Sequence, residues 1–147
     1  MDIKVREASK EDIESILKIY SQPSIDHGEI LKTDRAKEIF EIINRYPSYK
    51  IYIATANEEV VGTVAVLIMH NLGHLGKKSA IFESIAVSPE WQAKGIGRFM
   101  LKHATDKCIE ADCYKITLSA GIQREKAHKF YESLGFTQHG FSYKLLI

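Results

Sequence analysis

The chain predicts a single α/β (α+β) domain built on a mixed sheet, and three observations carry that expectation. In the second half, strand and helix patterns alternate. An apolar, β-branched run at 80–87 is followed by helical spacing from Ile96, a strand at 114–119 and a helix at 124–134. Alternation of this kind implies crossover connections and parallel pairing. In the first half, strands at 50–56 and 60–69 flank Asn57-Glu58-Glu59 and so form a hairpin. The length, 147 residues, fits one domain, 1–147, with a sizeable core.

Each element has a local reason. Ile3–Ala8 alternates as a strand. Ser9-Lys10-Glu11-Asp12 has the spacing of a capping box and opens a helix to about Tyr20. Residues 21–32 contain Pro23 and Gly28 and read as a loop. Thr33 or Asp34 caps a second helix whose apolar positions are Ala36, Ile39, Phe40 and Ile43. The hairpin follows, and a loop bearing glycines and histidines leads to the strand Ala80–Val87. Ser88-Pro89 ends that strand. The helix at 96–111 repeats Ile96, Met100, Ala104 and Cys108 on one face. A last strand is expected near Phe141–Leu146. There is no internal repeat, low-complexity tract or linker.

Composition narrows the function classes. With 45% hydrophobic residues and a formal net charge of +1, nothing argues globally for nucleic acid or an anionic membrane as partner. No apolar run reaches spanning length, and Met1–Glu7 lacks a secretory core, so the expected setting is cytoplasmic. Cys108 and Cys113 fit reduced thiols better than a disulfide framework.

The segment 87–101 carries the chemistry. A strand, a turn with Gly95 and Gly97, and a helix start together make a backbone anion site. The first helical N–H groups lack intrahelical partners, and the macrodipole places partial positive charge there. Glycine allows close backbone approach to a phosphate, and Lys94 and Arg98 add formal charge. A dinucleotide fingerprint would need glycine where Met100 stands. A nucleotide P-loop would need a first glycine and a terminal hydroxyl that Asn71–Lys78 lacks. The plain alternative is an ordinary helix-start turn.

A second segment adds to the first. Gln92-x-x-Gly95-x-Gly97 resembles the Gln/Arg-x-x-Gly-x-Gly/Ala signature of the GNAT superfamily of acyl-CoA-dependent N-acetyltransferases. Ala127-His128-Lys129-Phe130-Tyr131-Glu132-x-x-Gly135-Phe136 resembles its closing helix and turn, at the separation the family uses. The resemblance implies a mixed central sheet of six to seven strands flanked by about four helices, and acetyl-CoA as co-substrate. It implies that Gln92, Ala93, Lys94, Gly95, Ile96, Gly97 and Arg98 surround the pyrophosphate. It further implies that main-chain groups of Ile85, Ala86 and Val87 hold the pantetheine arm where this strand diverges from the next, and that Phe130 and Arg124 belong to the cofactor side. Two positions depart from the pattern. Ala93 stands where many members have glycine, and Arg124 where many have asparagine; an arginine there suits phosphate. Homodimers are common in the family, and nothing in the chain specifies one.

Acetyl transfer to an amine requires a neutral nitrogen, and a free alkylammonium has a pKa of about 10, so a base must take its proton. Glu83 is the sole acid in the strand 80–87. The resemblance makes it the general base; the alternative is a solvent-facing strand residue. Tyr131 matches the family tyrosine that protonates the departing thiolate; the alternative is packing on the sheet. His70 and His74 lie four apart in a glycine-bearing loop with no Cys or Asp beside them, so no metal is expected. His128 reads as a packing or surface residue.

The acceptor is expected to be the primary amine of a small molecule. Segments His70-Asn71-Leu72 and 113–118 are similar to glucosamine-6-phosphate N-acetyltransferases. The His/Gly loop and Arg124-x-x-Ala127-His128-x-Phe130-Tyr131 are similar to aminoalkylphosphonate N-acetyltransferases. Both acceptors carry phosphate or phosphonate, which Lys77, Lys78 and Arg124 would serve. A protein N-terminus or lysine, or an acyl-CoA-binding module without turnover, stand as alternatives.

Overall fold

Asn57 and Glu58 both adopt positive φ, 50° and 71°, as the two central residues of a primed hairpin turn must. That turn joins β2 (Tyr49–Ala56) to β3 (Glu59–Met69), and the register shifts by one residue at Ala54/Thr55 just beyond it. The computed structural model describes all residues, 1–147, as two compact units, 1–117 and 118–147.

The first unit is a five-stranded sheet in the order β1-β2-β3-β4-β5, with β1 at Ile3–Glu7, β4 at Lys78–Val87 and β5 at Cys113–Thr117. All neighbours are antiparallel except β4 and β5, which pair in parallel. Helix α3 (Ile96–Glu110) is the crossover between them, as a parallel pair requires.

The two faces are covered by different helices. Helix α1 (Ile13–Tyr20) buries Ile13, Ile16, Leu17 and Ile19, and α2 (Thr33–Arg45) buries Ala36 and Phe40. Ile13, Leu17, Ala36 and Phe40 form one cluster, against which Ile51 of β2 packs. On the opposite face α3 buries Ile96, Met100, Leu101, Ala104 and Cys108. Gly62 lies under that helix: a Cβ there would come within 3.3 Å of Ile96 Cγ2 and 3.4 Å of Met100 Sδ. Absence of a side chain thus lets α3 lie close to β3.

The capping box expected at Ser9 is present. Asp12 Oδ2 accepts from the Ser9 N–H at 2.7 Å, and a short 3-10 turn over 10–12 leads into α1. Arg6 of β1 grips the same carboxylate with both terminal nitrogens, at 2.7 and 2.9 Å.

The expected sheet of six to seven strands is corrected to five. Residues 137–147 enter no ladder, although Phe141, Tyr143 and Leu145 alternate as a strand would. All three are more than 80% exposed, so alternation here has neither a neighbouring backbone nor a core to face. The second unit contains α4 (Glu125–Glu132), whose N-terminal approach is tied by His128 Nε2 to the Gly121 carbonyl at 2.8 Å.

Candidate active site

Strand β4 is irregular at the positions singled out by sequence. Its ladder with β5 ends at Ile81–Thr117, so Glu83–Val87 lie beyond that pairing. On the β3 side the register jumps: Glu83 faces Ala65 and Ala86 faces Thr63, leaving Ser84 and Ile85 opposite Val64 alone. Ser84 takes a left-handed φ of 51°. This is a β-bulge, which withdraws backbone groups from the ladder and re-aims side chains.

Hydroxyl groups collect at the bulge. Thr63 is fully buried, and its Oγ1 has no hydrogen-bond partner of normal geometry. The Tyr20 hydroxyl, at the end of α1, lies beside Thr63 and Ser84. Burial pushes the Tyr20 phenol up, while those two hydroxyls pull it down by favouring the phenolate. Glu83, one residue before the bulge, is exposed.

The turn after β4 keeps its strand attached. Val87 pairs with Gly62, and its carbonyl accepts from the side-chain amides of Gln22 and Gln92, each at 3.1 Å. Gln92 therefore clamps the helix start to the strand end. Ala86 is buried and Ile85 is half-buried. Ala93 and Gly95 both have positive φ, 59° and 87°, which folds the turn back on itself. Gly95 is the N-cap of α3 and has no side chain to cap it, so the first amides of a 15-residue helix point outward as anion donors. Ile96 is 1% exposed and packs over Gly62, which leaves only its backbone for a ligand. Lys94 Nζ sits 5.0 Å from the Trp91 ring centroid, a cation–π contact that holds the amine near the turn. Gly97 and Arg98 occupy the first turn of the helix.

In the second unit, Arg124 is the N-cap residue of α4, and Phe130 and Tyr131 lie on its last turn. Tyr131 is buried, with ring centroids 5.4 Å from Phe130 and 6.1 Å from Phe136. Burial pushes its phenol up, and the Arg124 charge opposes that. The phenol is thus protonated at neutral pH.

His74 stacks on Tyr114 at 4.8 Å, and Asn71 Nδ2 donates to the Lys77 carbonyl and Ser79 Oγ, so the His/Gly loop is internally tied. No group of three or more His, Cys, Asp or Glu side chains is placed to hold a metal ion. Cys108 and Cys113 are free, and burial pushes the Cys108 thiol up to about 12. No helix is long and apolar enough to cross a membrane. The position of Tyr20 beside the loop 21–32 made it, with His27 and Glu29, a sequence candidate for the acceptor site, but the bulge and its Thr63 and Ser84 hydroxyls were not singled out by sequence. The bulge's one visible trace is Gly62-Thr63, the interruption in an otherwise apolar strand.

A bulged strand leading through a glycine turn into an uncapped helix N-terminus is an arrangement able to hold a phosphorylated ligand. The sequence profile of the Acetyltransferase (GNAT) family matches residues 13–136, and the chain belongs to that family. It is an acetyl-CoA-dependent N-acetyltransferase. An uncharacterized N-acetyltransferase, YhdJ, of Bacillus subtilis is 29% identical over 100 residues, 67% of each chain. The aminoalkylphosphonate N-acetyltransferase of Salmonella typhimurium is 30% identical over 97 residues, 66% of this chain and 62% of that protein. The N-alpha-acetyltransferase 30 of Xenopus laevis is 32% identical over 88 residues, 59% of this chain and only 31% of its own length. Among solved structures, a putative acetyltransferase from Agrobacterium tumefaciens superposes with a TM-score of 0.90 at 29% identity, covering 98% of this chain and 99% of its own.

Proposed function

We propose that the chain, acting as one N-acetyltransferase domain, transfers the acetyl group to the primary amine of a small molecule by direct attack, with Glu83 as general base and Tyr131 as general acid. What carries this reading is the position of Glu83. It is an exposed carboxylate on the strand that loses its β5 partner and bulges one residue later.

Acetyl-CoA supplies the thioester. The amides that begin α3, with Lys94 and Arg98, would hold its pyrophosphate. The β4 edge at Ile85–Val87, beyond the β5 ladder, would hold its pantetheine arm as an added strand. The family resemblance assigns Arg124 and Phe130 to cofactor binding as well. Glu83 takes a proton from the ammonium, which makes the nitrogen a nucleophile. The C–N bond then forms as the C–S bond breaks, while a bulge N–H donates to the carbonyl oxygen as it gains charge. Tyr131 donates a proton to the departing sulfur, and the second proton lost by the nitrogen as the amide forms restores the phenol.

A second reading is favoured by the Salmonella relative, whose name specifies an aminoalkylphosphonate: the acceptor would then carry an anionic group. Thiol release measured over a panel of amines, beside calorimetry with acetyl-CoA, tests the proposal. Turnover of free primary amines is expected. Turnover of peptide N-termini or lysine side chains alone would reassign the acceptor, and tight binding without turnover would make the chain an acyl-CoA-binding module.

A further inference from the structure

Glu83 has aromatic neighbours on its face of the sheet. It stands opposite Ala65 of β3, and Leu67, two residues along, stands opposite Tyr49 of β2. Registered partners and every second residue share a face, so Tyr49 and Glu83 project from the same face, one strand and two residues apart. Their backbones are then about 12 Å apart, from about 4.8 Å per strand and 3.4 Å per residue. On that face β3 places Leu67 beside Tyr49 and the small Ala65 beside Glu83, so the diagonal between phenol and carboxylate is open on the Glu83 side. The Glu83 charge acts on the Tyr49 hydroxyl, adding to burial in pushing that phenol up.

Tyr46, just past the end of α2, meets the Tyr49 ring edge-on, with centroids 5.7 Å apart and planes at 85°. An edge-to-face pair leaves an aromatic face free for a cation. Tyr46 is itself 52% exposed. Glu83 is exposed too and enters none of the chain's ion pairs. The cations of the His/Gly loop are elsewhere. Lys78 stands opposite Cys113 at the far end of β4, five residues and about 17 Å of backbone from Glu83, and so is not a strand neighbour of the carboxylate.

We infer that Glu83 and the Tyr46–Tyr49 pair receive a primary alkyl- or arylalkylammonium with an apolar body and no phosphate. The inference rests on the transfer reading above and names its acceptor class. The ammonium is attracted to the carboxylate and to the phenol faces, and the apolar body lies along the rings. One proton passes from nitrogen to Glu83; the C–N bond forms as the C–S bond breaks, the sulfur takes a proton from Tyr131 and leaves as the CoA thiol, and the second proton shed by the nitrogen replaces the one Tyr131 gave.

The test measures CoA thiol release from the whole chain with 2-phenylethylamine, butylamine, 2-aminoethylphosphonate and glucosamine 6-phosphate. The two unphosphorylated amines are expected to show a kcat/KM at least about tenfold higher. Tyr49→Leu is expected to raise the amine KM about 5- to 30-fold, whereas Tyr49→Phe, which keeps the ring, raises it less than about threefold. Tyr46→Leu, at a half-exposed position, is expected to act in the same direction, with the acetyl-CoA KM unmoved in all three. Preference for the phosphorylated amines overturns the inference and leaves the transferase reading standing. An unchanged amine KM in folded Tyr46→Leu and Tyr49→Leu overturns it as well. No thiol release from any amine, with acetyl-CoA still bound in calorimetry, overturns both readings.

Discussion

In the proposed mechanism Glu83 and Tyr131 would divide the proton chemistry unequally. An alkylammonium at neutral pH is almost wholly protonated, so the base does work that nothing else supplies, whereas a CoA thiolate, of pKa about 8.5, is already a tolerable leaving group. Glu83→Gln keeps size and polarity but cannot accept a proton. Turnover is expected to fall by about 10²- to 10⁴-fold with acetyl-CoA affinity retained. The deficit should narrow as pH rises and free amine accumulates; a pH–rate profile of the variant beside the parent reads this, and a near-normal rate at neutral pH removes Glu83 from the role. Tyr131→Phe keeps the ring that packs with Phe130 and Phe136. Its melting temperature is expected to hold while turnover falls by less than for Glu83→Gln. Melting and turnover are to be measured on one preparation, and a loss of stability in step with activity would mark Tyr131 as a packing residue.

The start of α3 separates two glycines by what each does. Gly95 has a φ of 87°, so Gly95→Ala is expected to cost about 1 kcal/mol or more of stability, because a Cβ is strained there. Gly97 lies inside the helix, where a β-branched residue is tolerated at a cost below about 1 kcal/mol. Gly97→Val should therefore leave folding nearly intact while it weakens acetyl-CoA binding at least tenfold, since a side chain now stands where phosphate approaches. Calorimetry and thermal melts on both variants check this, and unchanged affinity in folded Gly97→Val counts against the site. This turn was legible because Gly95, Gly97, Lys94 and Arg98 sit within five residues and their meaning is local. The bulge was not legible. Ser84 holds a left-handed φ because the register between β3 and β4 imposes it, and nothing about a serine announces that. The approach of Tyr49 to Glu83 was hidden for the same reason, since 33 intervening residues are closed by sheet register. The final strand failed in the opposite sense: Phe141, Tyr143 and Leu145 have the period of a strand, but period describes a side-chain pattern and a strand also needs a neighbour's backbone.

On the scale of the whole molecule, stability in acid converges on one carboxylate. Asp12 is 6% exposed. It holds Arg6 of β1 through two hydrogen bonds and caps the turn that opens α1, so the edge strand and the first helix share it. The Arg6 hydrogen bonds, with the Ser9 amide and hydroxyl, hold the Asp12 carboxyl below its usual range against the opposing effect of burial. A carboxylate depressed in the folded state contributes stability that is fully present above its unfolded pKa, about 3.9, and lost as pH falls through the lower folded value. Acid unfolding should therefore steepen below about pH 4. Asp12→Asn keeps the shape of the cap but removes the charge. At neutral pH it is expected to lose about 1–3 kcal/mol, the usual range for a hydrogen bond to a charged group, and Arg6, half-exposed, regains water in exchange. The diagnostic measurement is denaturant unfolding of parent and variant between pH 7 and pH 2. The gap between them should close as pH drops below about 4, because protonation deprives the parent of the same interaction. A gap that stays constant across that range would show that Asp12 stabilises the fold by shape alone.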